Sequence, residues 1–110
     1  MKPYVLQNKE FIDFFLKLSP RKQKKLIPGL SKDQVNTISE VCKNFLKRNL
    51  TQSPNIVKKL RKVRKEIKTI ALKTIPLYKK KRVLQSRKGG AILSVLLPLA
   101  ASVITSLIAK

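Results

Sequence analysis

Two stretches with opposite solvent preferences adjoin in the last third of this 110-residue chain. Between Lys58 and Lys88 the sequence has fourteen Lys or Arg residues and a single acid, Glu66. Residues 91–109 (AILSVLLPLAASVITSLIA) follow without one charge. The first stretch favours contact with polyanions, and the second favours lipid or a protein interior. Because no single environment suits both, the sequence predicts a chain organised in parts.

The charge of the whole chain points to an acidic partner. Its net charge is +21, from 26 basic and 5 acidic residues. Self-repulsion at this charge opposes compaction, and nucleic acid or an anionic membrane surface relieves it. The only cysteine, Cys42, excludes an intramolecular disulfide, so an oxidising compartment is not required. We therefore expect a nuclear, cytosolic or virion location.

The spacing of apolar residues predicts an all-α fold that begins with a small three-helix bundle in residues 1–50. Four residues at i, i+3, i+4, i+7 spacing define the apolar face of a first helix: Phe11, Phe14, Phe15 and Leu18. Ser19-Pro20 is typical of the start of a second helix. Ser31 and Gln34 have capping-box spacing before a third amphipathic helix that is expected to end near Asn49.

Residues 53–88 are predicted to form a long basic helix and a basic linker. After Ser53-Pro54, apolar residues recur every three or four positions to Ile70, and cations occupy most positions between them. Such a helix, ending before Pro76, would be about 22 residues and ~33 Å long. We expect it to project from the bundle, and a second basic cluster, 79–82, to follow it.

The cations of this region are the candidate nucleic-acid-binding residues. Most are Lys, which contacts phosphate as a point charge and does not read bases, so the expected binding is independent of DNA sequence. A solvated helix face is the alternative interpretation of the same charges. The predicted phosphate contacts are Lys58, Lys59, Arg61, Lys62, Arg64, Lys65, Lys68, Lys79, Lys80, Lys81, Arg82, Arg87 and Lys88.

Catalysis is not expected from this composition. The chain has no histidine, and its five acids are scattered among the predicted helices, so no general-base arrangement can be assembled. Cys42 lies on the apolar stripe of the third helix and is interpreted as a core residue. We therefore predict a protein that is not an enzyme, with no cofactor and no metal site.

Residues 89–110 are predicted to be a Gly-Gly hinge followed by a hydrophobic helix. Nineteen uncharged residues reach about 28 Å as a helix, close to the thickness of a bilayer core. The preceding cations would keep the amino-terminal part cytosolic, as in a tail-anchored protein of an intracellular membrane. Pro98 favours instead two short pieces that lie on a bilayer or on another protein. A core helix of the domain is a further alternative.

The residues around the Gly-Gly pair resemble a known family. The order Arg87-Lys88-Gly89-Gly90-Ala91-Ile92-Leu93 followed by Leu97-Pro98-Leu99-Ala100-Ala101 is similar to the carboxyl end of adenovirus core protein X (mu) precursors. It also resembles small proteins of adenovirus-like elements such as adintoviruses and Polinton transposons. The similarity covers about thirty residues. The predicted bundle has no counterpart in the adenovirus protein.

This resemblance implies a non-enzymatic core protein that condenses double-stranded DNA in a virion or host nucleus. It also implies cleavage after Gly90, at Gly89-Gly90-Ala91, by a viral-type cysteine protease, and a capsid protein as a partner of the tail. A flexible hinge is the alternative interpretation of the glycines. Two other functions stay open: a tail-anchored or membrane-active protein that binds anionic lipid, and a helical adaptor that pairs through the apolar positions 56–70.

Overall fold

The structure is a computed structural model that describes residues 7–47 and 54–109, with side chains as far as Thr105. Helices dominate these residues, and no strand occurs among them, which confirms the all-α fold class. In chain order the helices are α1 (Lys9–Leu16), α2 (Pro20–Leu26), α3 (Lys32–Leu46), α4 (Pro54–Leu60), α5 (Arg64–Ala71), α6 (Leu77–Gln85) and α7 (Arg87–Ala109). Short 3-10 turns, Ile27–Gly29 and Arg61–Val63, follow α2 and α4.

Side-chain caps fix the starts of α2 and α3 where the sequence predicts them. The Ser19 hydroxyl accepts a hydrogen bond from the Lys22 N–H at 3.4 Å, and Pro20 occupies the first turn of α2. At the start of α3 the Ser31 hydroxyl accepts from the Gln34 N–H at 3.1 Å, and the Gln34 side chain accepts from the Ser31 N–H at 2.9 Å. The predicted capping box is therefore confirmed.

The buried face of α1 differs from the predicted one. Ile12 and Phe15 are fully buried, whereas Phe14 is 54% exposed. The Phe11 ring lies on the edge of the core, with its centroid 5.5 Å from that of Phe15. The face is set by the packing of α1 against α7, and the spacing of residues within α1 alone does not reveal that partner.

The basic segment neither forms one helix nor projects from the fold. A 3-10 turn separates α4 from α5, and the backbone becomes extended at Leu72, before Pro76. The apolar positions Leu60, Val63, Ile67 and Ile70 are buried, and α5 packs against α3. Residues three apart lie on the same side of a 3-10 turn, so Leu60 and Val63 can face the core together. Burial of this apolar stripe explains why the segment folds back.

The apolar tail is the central helix of the fold. Helix α7 packs against α1, α3 and α6, and six of its side chains as far as Thr105 are buried: Ile92, Leu93, Leu96, Leu97, Ala100 and Ile104. Pro98 lies on its exposed side. One hydrophobic cluster contains residues of the ranges 1–50, 53–88 and 89–110. The expected hydrophobic carboxyl-terminal helix is present, and it is packed as the core-helix alternative describes.

The expected hinge at Gly89-Gly90 is wrong, because both glycines belong to the first turn of α7. A Cβ at Gly89 would lie 2.5 Å from the Cα of Leu84, and it would also overlap the Val83 carbonyl oxygen. The Ser86 hydroxyl accepts the Gly89 N–H at 3.1 Å, so the turn between α6 and α7 is tight. Gly89 therefore permits close packing of two helices, whereas open space surrounds the Cβ position of Gly90.

Candidate nucleic-acid interface

Helices α4 and α5 and the 3-10 turn between them present a run of exposed cations. Because the apolar stripe of these helices faces the core, the positions between its members face outward. The exposed cations of the run are Lys58, Lys59, Arg61, Lys62, Arg64, Lys65 and Lys68. Helix α4 has seven residues and α5 has eight, so each is on the order of 10 to 12 Å long. We call these seven side chains the α4–α5 surface.

The only acid in this run is neutralised by a residue of α7. Glu66 Oε1 accepts a hydrogen bond from Lys88 Nζ at 3.0 Å, which also makes an ion pair between α5 and α7. This hydrogen bond is the main reason that the pKa of Glu66 is lowered from its usual value of 4.5. The second carboxylate oxygen, Oε2, is buried without a hydrogen-bond partner. Glu66 therefore does not offer an unpaired negative charge to an approaching polyanion.

The predicted phosphate contacts after Lys68 differ from one another in exposure and in hydrogen bonding. Lys79, Arg82 and Arg87 are exposed, and their side chains make no hydrogen bond or ion pair with other described residues. Lys81 is half-buried and donates to the Pro28 carbonyl oxygen at 2.8 Å, so it fastens α6 to the turn after α2. With the α4–α5 surface, ten of the thirteen predicted phosphate contacts are exposed and without a partner in the described part of the chain.

Lys80 does not fit the predicted role. Its side chain is only 5% exposed, and its Nζ donates to the Ser39 hydroxyl of α3 at 3.0 Å. Burial lowers the pKa of Lys80 from its usual value of 10.5. A signal for this burial exists in the sequence, since Leu77, Lys80 and Leu84 have the i, i+3, i+7 spacing of one helix face. The prediction grouped Lys80 with the neighbouring cations of the cluster 79–82 by charge and did not use its position on this helix face.

The exposed set suits phosphate contact and does not suit base reading. The α4–α5 surface consists of five lysines and two arginines, Arg61 and Arg64, and no Asn or Gln occurs from Lys58 to Lys68. Lysine binds phosphate as a point charge, whereas bases are read mainly by Arg, Asn and Gln in a groove. At ~1.5 Å per residue, Lys58 to Lys68 extend over about 15 Å, which at ~3.4 Å per base pair corresponds to about four base pairs.

The predicted cleavage residues lie in regular structure. Gly89 is buried, Gly90 is half-buried and Ala91 is exposed, and all three lie in the first five residues of α7. The Gly90 N–H donates to the Ser86 carbonyl oxygen at 3.0 Å. A protease that cuts after Gly90 therefore has to unwind this turn and release Gly89 from α6.

Residues Arg87–Thr105 of α7 are long and apolar enough to cross a membrane. In this fold 39% of that stretch is buried by other helices, and a core helix has the same length and composition. Comparisons with protein-family models, curated proteins and solved structures find no match to the chain. Function is therefore inferred from the residues and their geometry.

Proposed function

We propose that this protein binds double-stranded DNA without sequence preference and condenses it. The observation that carries the proposal is the α4–α5 surface, where seven exposed cations lie on two consecutive helices and the 3-10 turn between them, and the one acid is held in an ion pair. Phosphates that meet these cations release counterions, and this release supplies affinity that does not depend on sequence. The three exposed cations of α6 and α7, Lys79, Arg82 and Arg87, add further phosphate contacts.

The ratio of charge to size favours condensation. Duplex DNA carries one negative charge per ~1.7 Å, so the net charge of +21 matches about 36 Å of duplex. The longest dimension of the protein is also 36 Å. Molecules that line a duplex side by side can therefore neutralise nearly all of its charge, and neutralised segments no longer repel one another.

The resemblance of residues 87–101 to adenovirus core protein precursors supports a more specific proposal. In that proposal the chain is a DNA-packing core protein of an adenovirus-like element, with a capsid protein as partner. Cleavage after Gly90 would accompany unwinding of the first turn of α7. The membrane alternative requires α7 to leave the core and expose the side chains that α1, α3 and α6 now cover.

Titration of the full chain against fluorescent duplexes of unrelated sequences tests DNA binding. Between about 50 and 200 mM salt, we expect similar affinities for all sequences and a log–log salt slope of about −5 to −9, because ten exposed cations are available. Light scattering with long duplex should show compaction near charge neutrality. A strong preference for one sequence, or an affinity insensitive to salt, would contradict the proposal.

A matched pair of triple variants tests the assignment of the surface. Lys58, Lys62 and Lys65 changed to Gln remove three charges from the α4–α5 surface, and Lys17, Lys22 and Lys25 changed to Gln remove three exposed charges elsewhere. We expect the first variant to flatten the salt slope by about 2 to 3, and the second by less than about 1. Equal losses would show that net charge, and not this surface, determines binding.

A further inference from the structure

A cavity of about 480 Å³ lies between the two residues that precede α1, helix α3 and the segment that joins α5 to α6. Lys80 of α6 and Ser39 of α3 form part of its wall. None of the seven cations of the α4–α5 surface lines it. The cavity is therefore a separate feature from the proposed DNA-binding surface.

Lys80 is a buried cation without an anion. Neither the Lys9–Asp13 ion pair nor the Lys88–Glu66 ion pair includes Lys80. An ammonium has three donors, and the Lys80 ammonium uses one of them, toward the neutral hydroxyl of Ser39. Buried lysines are ordinarily paired, because an unpaired buried charge is costly. The wall of the cavity thus holds donor capacity and positive charge that no described residue takes up.

The charges around the cavity favour an anion, and their chemistry favours phosphate. Three more lysines, Lys32, Lys43 and Lys73, line the cavity, against two acids, Asp33 and Glu40. No arginine lines it. Arginine is the residue that grips planar carboxylates with two parallel hydrogen bonds, whereas lysine is a point-charge ligand of phosphate. A phosphate group therefore matches this wall better than a carboxylate does.

The size of the cavity indicates that the phosphate belongs to a larger molecule. A volume of about 480 Å³ lies within the range of small-molecule sites, roughly 300 to 1,000 Å³. Its lining residues also include Gln7 and Asn36, whose side chains end in amides, and the apolar residues Ile75 and Leu77. Amides can bond to ring and sugar atoms, and apolar side chains can cover a ring.

We propose that this cavity binds a phosphate monoester of nucleotide size, with its phosphate on Lys80. Two kinds of molecule carry such a phosphate monoester: a free mononucleotide, and a nucleic acid strand with a 5′-terminal phosphate. The proposal stands on the buried lysine and the cavity, so it does not depend on duplex binding along α4 and α5.

Amide chemical shifts of the full-length wild-type protein give the first test. Adenosine monophosphate should move the amides of Ser39, Asn36 and Ala71, which line the cavity, while adenosine at the same concentration should not. Shifts confined to Lys62 and Lys65 would place the phosphate on the exposed surface and overturn the proposal. Equal effects of adenosine and its monophosphate would also overturn it.

Calorimetry with two charge-matched variants gives the second test. Lys80→Met should weaken adenosine monophosphate binding at least about tenfold, because the buried charge is gone, while the exposed-site control Lys17→Met should change it less than about twofold. Equal losses would overturn the proposal. If Lys80→Met does not fold, Ser39→Ala takes its place and should also weaken binding, because it frees the Lys80 ammonium from its fixed position.

Short duplexes with and without a 5′-phosphate separate the two sources. Shifts at Ser39 and Ala71 with adenosine monophosphate and with the 5′-phosphorylated duplex, but not with the unphosphorylated duplex, identify a strand end as a ligand. Shifts with adenosine monophosphate and with neither duplex identify a free nucleotide. Either result supports the site, and the absence of shifts at these residues with all three ligands refutes it.

Discussion

Gly89 and Gly90 are neighbours in sequence but lie in different surroundings. We expect Gly89→Ala to destabilise the protein by about 1 to 3 kcal/mol, because its Cβ would overlap backbone atoms of Val83 and Leu84. Gly90→Ala should stabilise it by roughly 0.5 to 1 kcal/mol, since the position is helical and open. Urea unfolding followed by circular dichroism measures both. Equal effects of the two substitutions would mean that α6 and α7 do not pack as described.

Burial in the core changes the acidity and the accessibility of the Cys42 thiol. It is 1% exposed on α3, and burial raises the pKa of its thiol from 9.0 to about 12. The stability that the neutral thiol contributes is therefore fully present below pH 9 and is lost as the pH rises toward 12. We expect iodoacetamide to label the native protein far more slowly than the denatured protein, even at pH 9. Comparable rates, measured by mass spectrometry, would show that α3 does not bury this residue.

The Glu66–Lys88 ion pair connects helices α5 and α7, and we expect its removal to change both stability and the proposed DNA binding. Glu66→Gln removes the one acid of the basic run and releases Lys88, so DNA affinity should rise and the salt slope should steepen by up to about 1. Stability should fall by no more than about 1 kcal/mol, because Lys88 is 59% exposed. Above pH 4.5 the pair contributes fully, and the contribution is lost as acid protonates Glu66. Weaker DNA binding by this variant would argue against the α4–α5 surface.

The helices themselves follow from local signals, whereas their packing does not. Ser19, Ser31 and Gln34 mark helix starts because a cap acts within one turn of chain. The buried face of α1 depends on α7, which lies more than seventy residues away in sequence. The same long-range packing buries Lys80 against Ser39, so a residue counted among the phosphate contacts becomes part of a cavity wall.

In the molecule as a whole, the same helices carry exposed cations on one side and buried apolar side chains on the other. The radius of gyration is 12.7 Å, close to the ~13 Å expected for a compact chain of this length. A basic protein reaches this state here because α7 supplies an uncharged centre around which the cationic helices bury their apolar stripes. The apolar tail and the basic run therefore belong to one folding unit.

Removal of residues 91–110 tests this dependence. The deletion takes six buried side chains from the core, at several kcal/mol for each large one, which exceeds the stability of a small domain. We expect the shortened chain to lose its cooperative urea transition and most of its helical circular dichroism. Leu97→Ala should lower stability by about 2 to 5 kcal/mol, whereas Pro98→Ala, on the exposed side of the same helix, should not lower it. A shortened chain that unfolds cooperatively, with its helicity otherwise unchanged, would show that α7 is a separable tail and would favour the membrane alternative.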